Sequence, residues 1–367
     1  MMVSLKKTAV ALLAFALIGT NTAFANGANP SPGGEKVPIE QLQPAAKIPT
    51  ESVVLTPVGG ELNFSDSPET FSGSGAFYRD WADGEFRVFW HHQNVSNQTM
   101  TVAVAFTNES DERVMLYSKG GGVGTSIYPD IAGLWGMNDF LRTRGTTKML
   151  KILEPGEHYW IETPTAAGLT TSGIAQFNAV TQHGHQPAAV TVTVLGYEEG
   201  QKPANPLDVE ILPLGEHTVR GKWEHFDRLG TIHYDPAMGR VFKPIDSAAS
   251  GPWMDAMPGE YEWGYSAVDD RYFLNNGNYG VLYRWDIRMT NSLHKPTKIK
   301  VYMTPSGGFG QYSLQWNQQI YNSGFIMYTH AWNFTSFMLG ANGGHYQMLT
   351  SLVGGSYGPQ TFYFTAE

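Results

Sequence analysis

Apolar and polar residues alternate with a period of two over most of this chain. Phe86, Val88 and Trp90 share one face of an extended segment, and Val102, Val104 and Phe106 share another. Val190-Thr191-Val192-Thr193-Val194 alternates strictly, and Tyr283, Trp285, Ile287 and Met289 face away from Arg284, Asp286 and Arg288. This spacing predicts half-buried strands of antiparallel sheets, one face toward a core and one toward solvent. The first ordered segment is expected at Val53-Val54-Leu55, before a turn at Gly59-Gly60. Forty-one glycines and 21 prolines interrupt the strands as often as a β-sandwich requires. Helical spacing surfaces only after Asp130, at Ile131, Leu134, Trp135 and Asn138, where Gly133 and Gly136 count against a helix.

The pattern is stated twice. Thr107-Asn108 leads through a polar turn and a strand to Gly121-Gly122-Val123-Gly124, and Thr290-Asn291 leads likewise to Gly307-Gly308-Phe309-Gly310. Further on, the segments Gly156 to Thr163 and Gly343 to Thr350 both read G-x-H-Y-x-(I/M)-x-T. Recurrence at a similar interval points to duplication. The expected fold is all-β: two tandem, mutually related antiparallel β-sandwich domains of immunoglobulin or jelly-roll type. Thr-Asn suits a hairpin turn capped by side-chain oxygens, and the glycine run suits positive φ at a sheet end. A phosphate-binding reading of the glycines lacks its lysine and its following helix.

Composition adds the ends and the boundaries. Lys6-Lys7, an apolar run from Thr8 to Gly19 and Ala23-Phe24-Ala25 have the order of a cleaved secretory signal, residues 1–25. Residues 26–50, rich in Pro, Gly and polar residues, read as a flexible leader. The charged, proline-broken stretch 199–206 reads as a linker between domains at 51–198 and 207–367. The net charge of −9 and the lack of a basic cluster argue against nucleic acid and anionic lipid as partners. Cysteine is absent, so a secreted chain has to hold itself together by burial. No membrane anchor is expected.

Candidate chemistry is sparse. In Thr181-Gln182-His183-Gly184-His185, two imidazoles two residues apart on an extended strand would share a face and suit zinc or copper. A third ligand would come from His158 or from His91-His92. Asn278-Tyr279 resembles the centre of T-x-x-N-Y-(D/E) in the copper amine oxidases. Asn275 stands where that family has Thr, Gly280 stands where it has an acid, and the tyrosine follows the histidines instead of preceding them. No catalytic role is carried over, and no cofactor is expected.

Aromatic residues are plentiful: 10 Trp, 18 Tyr and 19 Phe. Trp253, Trp263, Trp316, Trp332 and Tyr357 fall in loop-like stretches, and Trp316-Asn317 and Trp332-Asn333 join a stacking ring to a hydroxyl-bonding amide, as sugar recognition needs. Carboxylates cluster at Asp80, Asp83 and Glu85 and at Asp255, Glu260 and Glu262, and Asp269-Asp270 lacks the EF-hand spacing. No cysteine or G-x-S-x-G elbow offers a nucleophile. The expectation is a secreted bacterial structural or adhesive protein without enzymatic activity, whose leader adds a strand to a neighbouring molecule or whose aromatics bind wall or matrix polysaccharide. The alternatives are a carbohydrate-binding module or polysaccharide-active protein and, second, a copper- or zinc-dependent enzyme using His183 and His185.

Overall fold

The computed structural model describes residues 31–32, 34–216 and 218–367, so the signal segment lies outside the described residues. Among the described residues the chain is all-β with one α-helix, Pro129–Thr143. The alternating positions are buried as the pattern requires. Phe86, Val88, Trp90, Val102, Val104, Phe106, Val190, Val192 and Val194 fill one core, and Tyr283, Trp285, Ile287 and Met289 fill another.

The first sandwich is threaded by one long strand, Gly75–Asn94. Up to Asp83 it pairs with Ala189–Glu198, and from Gly84 onward with Thr170–Thr181. Gly84, at φ +52°, is where the strand passes from one sheet to the other.

The duplicated motif corresponds to a recurring order of antiparallel pairing. The strand before Thr-Asn pairs with the G-x-H-Y strand: Met100–Thr107 with His158–Thr165, and Leu282–Met289 with Gly344–Thr350. The strand after Thr-Asn pairs with Lys148–Leu153 in the first case and His330–Leu339 in the second. The next strand, Thr170–Thr181 or Gln360–Ala366, then adds to it. Asn108 Nδ2 donates to the carbonyls of Glu112 and Leu153, and Asn291 Nδ2 to those of Lys295 and Gly340. Each turn is thus tied to a distant strand. Asn94 makes the same pair of bonds, to Gln98 and Thr165, at a turn the repeat does not include.

In the first repeat the glycine run works differently from the expectation, whereas in the second Gly310 does take a positive φ, +155°. Gly122 and Gly124 lie on one face of Val114–Ser126, where a Cβ would come within 2.2 Å of Gly136 O and 2.1 Å of Ala132 O. They let the helix lie directly on the strand. Gly133 and Gly136, which weaken the helix by propensity, are contact points: a Cβ on Gly133 would meet Gly354 O at 2.2 Å. Leu134, Met137, Phe140 and Leu141 then fill a third core.

That core corrects the domain boundaries. It joins Leu62, Phe64 and Phe89 to Trp223, Phe226, Phe273 and Leu282. Strand Glu61–Ser65 pairs with Arg220–Trp223, carrying the first sandwich's sheet into the later sequence. Arg87, 1% exposed, donates to the carbonyls of Phe226 and Gly280 and to Asp227. Residues 51–198 and 207–367 are therefore not two separately closed units, although 199–206 is a surface connection.

The leader is also corrected, from residue 34 on. Lys36–Pro38 pairs with His330–Leu339 on one edge of the six-stranded sheet, and Ala46–Lys47 pairs with Val241–Ile245 on the other. Ser31–Pro32 and Thr56–Val58 cover the two edges of the facing seven-stranded sheet. Ile48, Val53 and Leu55 are buried in the second core. One N-terminal segment thus closes all four edges of the second sandwich, where unpaired backbone would otherwise template association.

Candidate functional site

A cleft of about 1040 Å³ opens beside the second sandwich. Its rim is the loop between Val241–Ile245 and Trp263–Ser266, fixed from below by Glu260. Glu260 is fully buried and accepts the backbone N–H groups of Asp246 and Met257, both at 2.7 Å, and the Tyr283 hydroxyl at 2.9 Å. Burial pushes its carboxyl up to about 7, against the opposing pull of those three donors. Asp246, in the left-handed region at φ +49°, accepts both the N–H and the side-chain amide of Gln360. Burial holds its carboxyl well above the usual range.

Above this base, Trp253 stands 83% exposed at the mouth. Asp255 beside it is fixed by Lys47, 2.7 Å from each carboxylate oxygen, and by Thr50 Oγ1 at 2.7 Å. Asn276, Tyr279 and Tyr328 line the walls. Asn276 and Tyr279 also line an adjoining cavity of about 630 Å³ containing Asp66, Glu69 and His91. Three buried polar atoms there, His91 Nδ1, Asn275 Oδ1 and Thr218 Oγ1, have no hydrogen-bond partner among the described residues. Asn275 Nδ2 donates to the Tyr279 carbonyl, which fixes Oδ1 as an acceptor awaiting a donor. Tyr357, 51% exposed and 5.0 Å from Phe309 between ring centroids, leads out of this cavity. The result is a groove with acceptors on its floor and exposed rings along its edge.

Of the aromatics singled out by sequence, the groove takes Trp253 and Tyr357. Trp263 is 64% exposed, but on a separate strip with Tyr265, which packs against Tyr272 at 5.1 Å. Trp316 and Trp332 are corrected: both sit in the second core, 4% and 0% exposed, because their strands turn those positions inward. Trp316 stacks on Tyr346 at the floor of a shallow depression. The Asn333 amide is taken by the carbonyls of Val301 and Thr335, and the Asn317 Oδ1 by the Gln347 N–H. Neither pair presents a ring and a free amide together. Asp66 carried no sequence signal, while His91 was read only as a metal ligand and Asn275 only against the amine-oxidase pattern, because distant segments bring the three together.

The metal reading is corrected too. His183 and His185 are exposed in a tight turn, with Gly184 at φ +87° and His185 at φ +51°, and not on one face of a strand. His91 pairs with Ser172, nine residues along its strand from Thr181, roughly 30 Å at the rise of a β-strand. His158 Nδ1 is engaged by Thr107 Oγ1. The one group of three metal-type ligands within reach of each other among the described residues is Glu224, His225 and Glu262. There Glu262 is already paired with Arg228 at 3.0 Å. Asp269 is likewise taken, by both Arg220 nitrogens at 2.8 and 2.6 Å. Tyr279 donates its hydroxyl to the Ser356 carbonyl.

No family model matches the chain, and no curated protein matches it. Among solved structures, a Paenibacillus xanthan lyase aligns over 93% of this chain and 27% of its own length, at 9% identity and a TM-score of 0.18. The chain thus spans about a quarter of that protein, and a likeness this slight carries no argument. Among the described residues no helix is long and apolar enough to cross a membrane.

Proposed function

We propose that this is a secreted, adhesive, non-enzymatic β-sandwich protein that holds a polysaccharide chain in the groove beneath Trp253. The exposure of Trp253 at the mouth of this cleft carries the reading. A bare indole on a fixed loop, beside Asp255, Asn276 and Tyr328, offers a sugar ring a stacking face and its hydroxyls acceptors and donors. Asp246 and Glu260 are engaged by internal donors on a buried floor, which suits an anchoring role better than acid–base work.

The test is binding of the mature protein to a panel of neutral polysaccharides by affinity electrophoresis. Trp253→Ala should abolish the retardation, a loss of roughly tenfold or more in affinity. It should leave the melting temperature unchanged, because the ring packs against little. Equal retardation of wild type and variant, or none of the wild type on any glycan, overturns the reading.

A further inference from the structure

A second site lies where the helix end meets the seven-stranded sheet, away from the Trp253 groove. The net charge of the chain is −9, yet Arg87, Lys119, Arg144 and Arg284 line one small cavity of about 270 Å³. The sequence scatters them, on the long strand, on Val114–Ser126, at the helix C-terminus and on Leu282–Met289, so no basic cluster appears in it.

Two carboxylates accompany them, and both are engaged. Asp227 Oδ1 accepts Arg87 Nη2 at 2.7 Å, while Oδ2 lies 3.5 Å from Arg284 Nη1. Glu85 accepts the Gln176 amide. One aspartate is therefore shared by two guanidinium groups. Arg144, half-buried, makes no side-chain hydrogen bond or ion pair among the described residues, and its Nε is buried without a partner. Arg87 Nε is in the same condition. Desolvation, then repulsion from Arg284, disfavours the charge on Arg144, with Asp227 opposing and Arg87 adding to the effect.

A helix C-terminus attracts a cation, which accounts for one arginine at this end. It does not account for the convergence of Arg284 and Lys119 on the same space. Arg144 and Arg284 also line a neighbouring cleft of about 600 Å³ that runs across the open face of the sheet past Thr231, His233 and Gln347. The charged cavity thus has an entrance. Guanidinium N–H groups that face a cavity without acceptors of their own are matched by an oxyanion.

We infer that the cavity formed by Arg144, Arg284 and Lys119 is a binding site for an oxyanion: a carboxylate or sulfate group. The ion supplies an acceptor for the Arg144 guanidinium, which lines the cavity, and screens three cations from one another. An acidic saccharide entering along the sheet face and a free inorganic ion both offer this chemistry.

The experiment follows the melting temperature of the mature protein with sodium sulfate, with an oligogalacturonate and with chloride at matched ionic strength. Comparisons are Arg144→Gln and, as a control, Arg113→Gln, whose partner Glu154 is on the surface. Wild type and the control are expected to be stabilised by an oxyanion beyond chloride, by mass action. Arg144→Gln should lose that increment while melting no lower than wild type in chloride, since it removes a repelled charge. Its affinity should fall roughly tenfold, the scale of one charge-assisted hydrogen bond. Stabilisation by oligogalacturonate at far lower concentration than sulfate assigns the site to an acidic glycan, and equal molar potency assigns it to the free ion. Equal stabilisation of wild type and Arg144→Gln, or none of either, overturns the inference. Trp253→Ala should retain the effect, so failure here and failure of the glycan groove are read separately.

Discussion

At the scale of single residues, burial decides more than residue type. His91 and His92 adjoin on the long strand, and desolvation lowers their imidazoles to about 4 and about 3. The Pro68 carbonyl accepts from His92 Nδ1, so Nε2 accepts from Ser65 Oγ and the ring is neutral. A depressed folded-state pKa means that stability is full above the ordinary histidine value and is lost as pH falls. Urea melts should therefore weaken from about pH 6.5 down toward pH 4 by a few kcal/mol. His91→Asn should flatten that slope, and an identical slope in the variant would remove His91 from the account. Sequence marks both histidines as polar and available for metal. Only the pairing of His91 with Ser172 and His92 with Thr171, deep in the sheet, shows why they are not.

At the scale of elements, alternation was readable and close approach was not. The strands of both cores follow directly from period-two spacing, because a sheet face needs only that periodicity to be buried. The helix is a different case. Gly133 and Gly136 lower its intrinsic propensity, yet they and Gly122 and Gly124 are what allow helix and strand backbones to touch. Propensity describes an isolated segment, and packing supplies what it omits. Gly122→Ala should destabilise the protein by about 1–3 kcal/mol or more through overpacking. Gly73→Ala, with open space around it, should be near neutral. Equal melting temperatures for both variants would show that helix and strand lie further apart than described.

The Glu260 loop belongs to this scale as well. Its raised carboxyl favours the folded state below the usual glutamate value and loses that advantage as pH rises through about 7. Glycan binding through Trp253 should weaken over the same interval, measured by affinity electrophoresis between pH 5 and 8. Constant retardation across that interval would separate the loop from Glu260 ionisation.

At the scale of the whole molecule, the N-terminal segment changes the picture most. From sequence, deleting residues 26–58 should leave folded domains and abolish assembly. In the structure residues 31–32 and 34–58 close four sheet edges and place Val53 and Leu55 in the core, so the same deletion should unfold the second sandwich. The expected outcome is aggregation and loss of the cooperative melt, and a truncated chain that melts normally would contradict it. A polar, proline-rich stretch resembles a linker because edge strands need few apolar residues. Nothing local distinguishes a flexible leader from a clasp.

Lys36 Nζ reaches the carbonyl of Phe325, 289 positions away. Contacts so distant in sequence form late, after the intervening loop has closed. Lys36–Pro38 has no pairing partner until His330–Leu339 has been made. The clasp on the second sandwich is therefore a late event in its folding, whereas the first core, drawn from Phe71 to Val194, has all its strands long before.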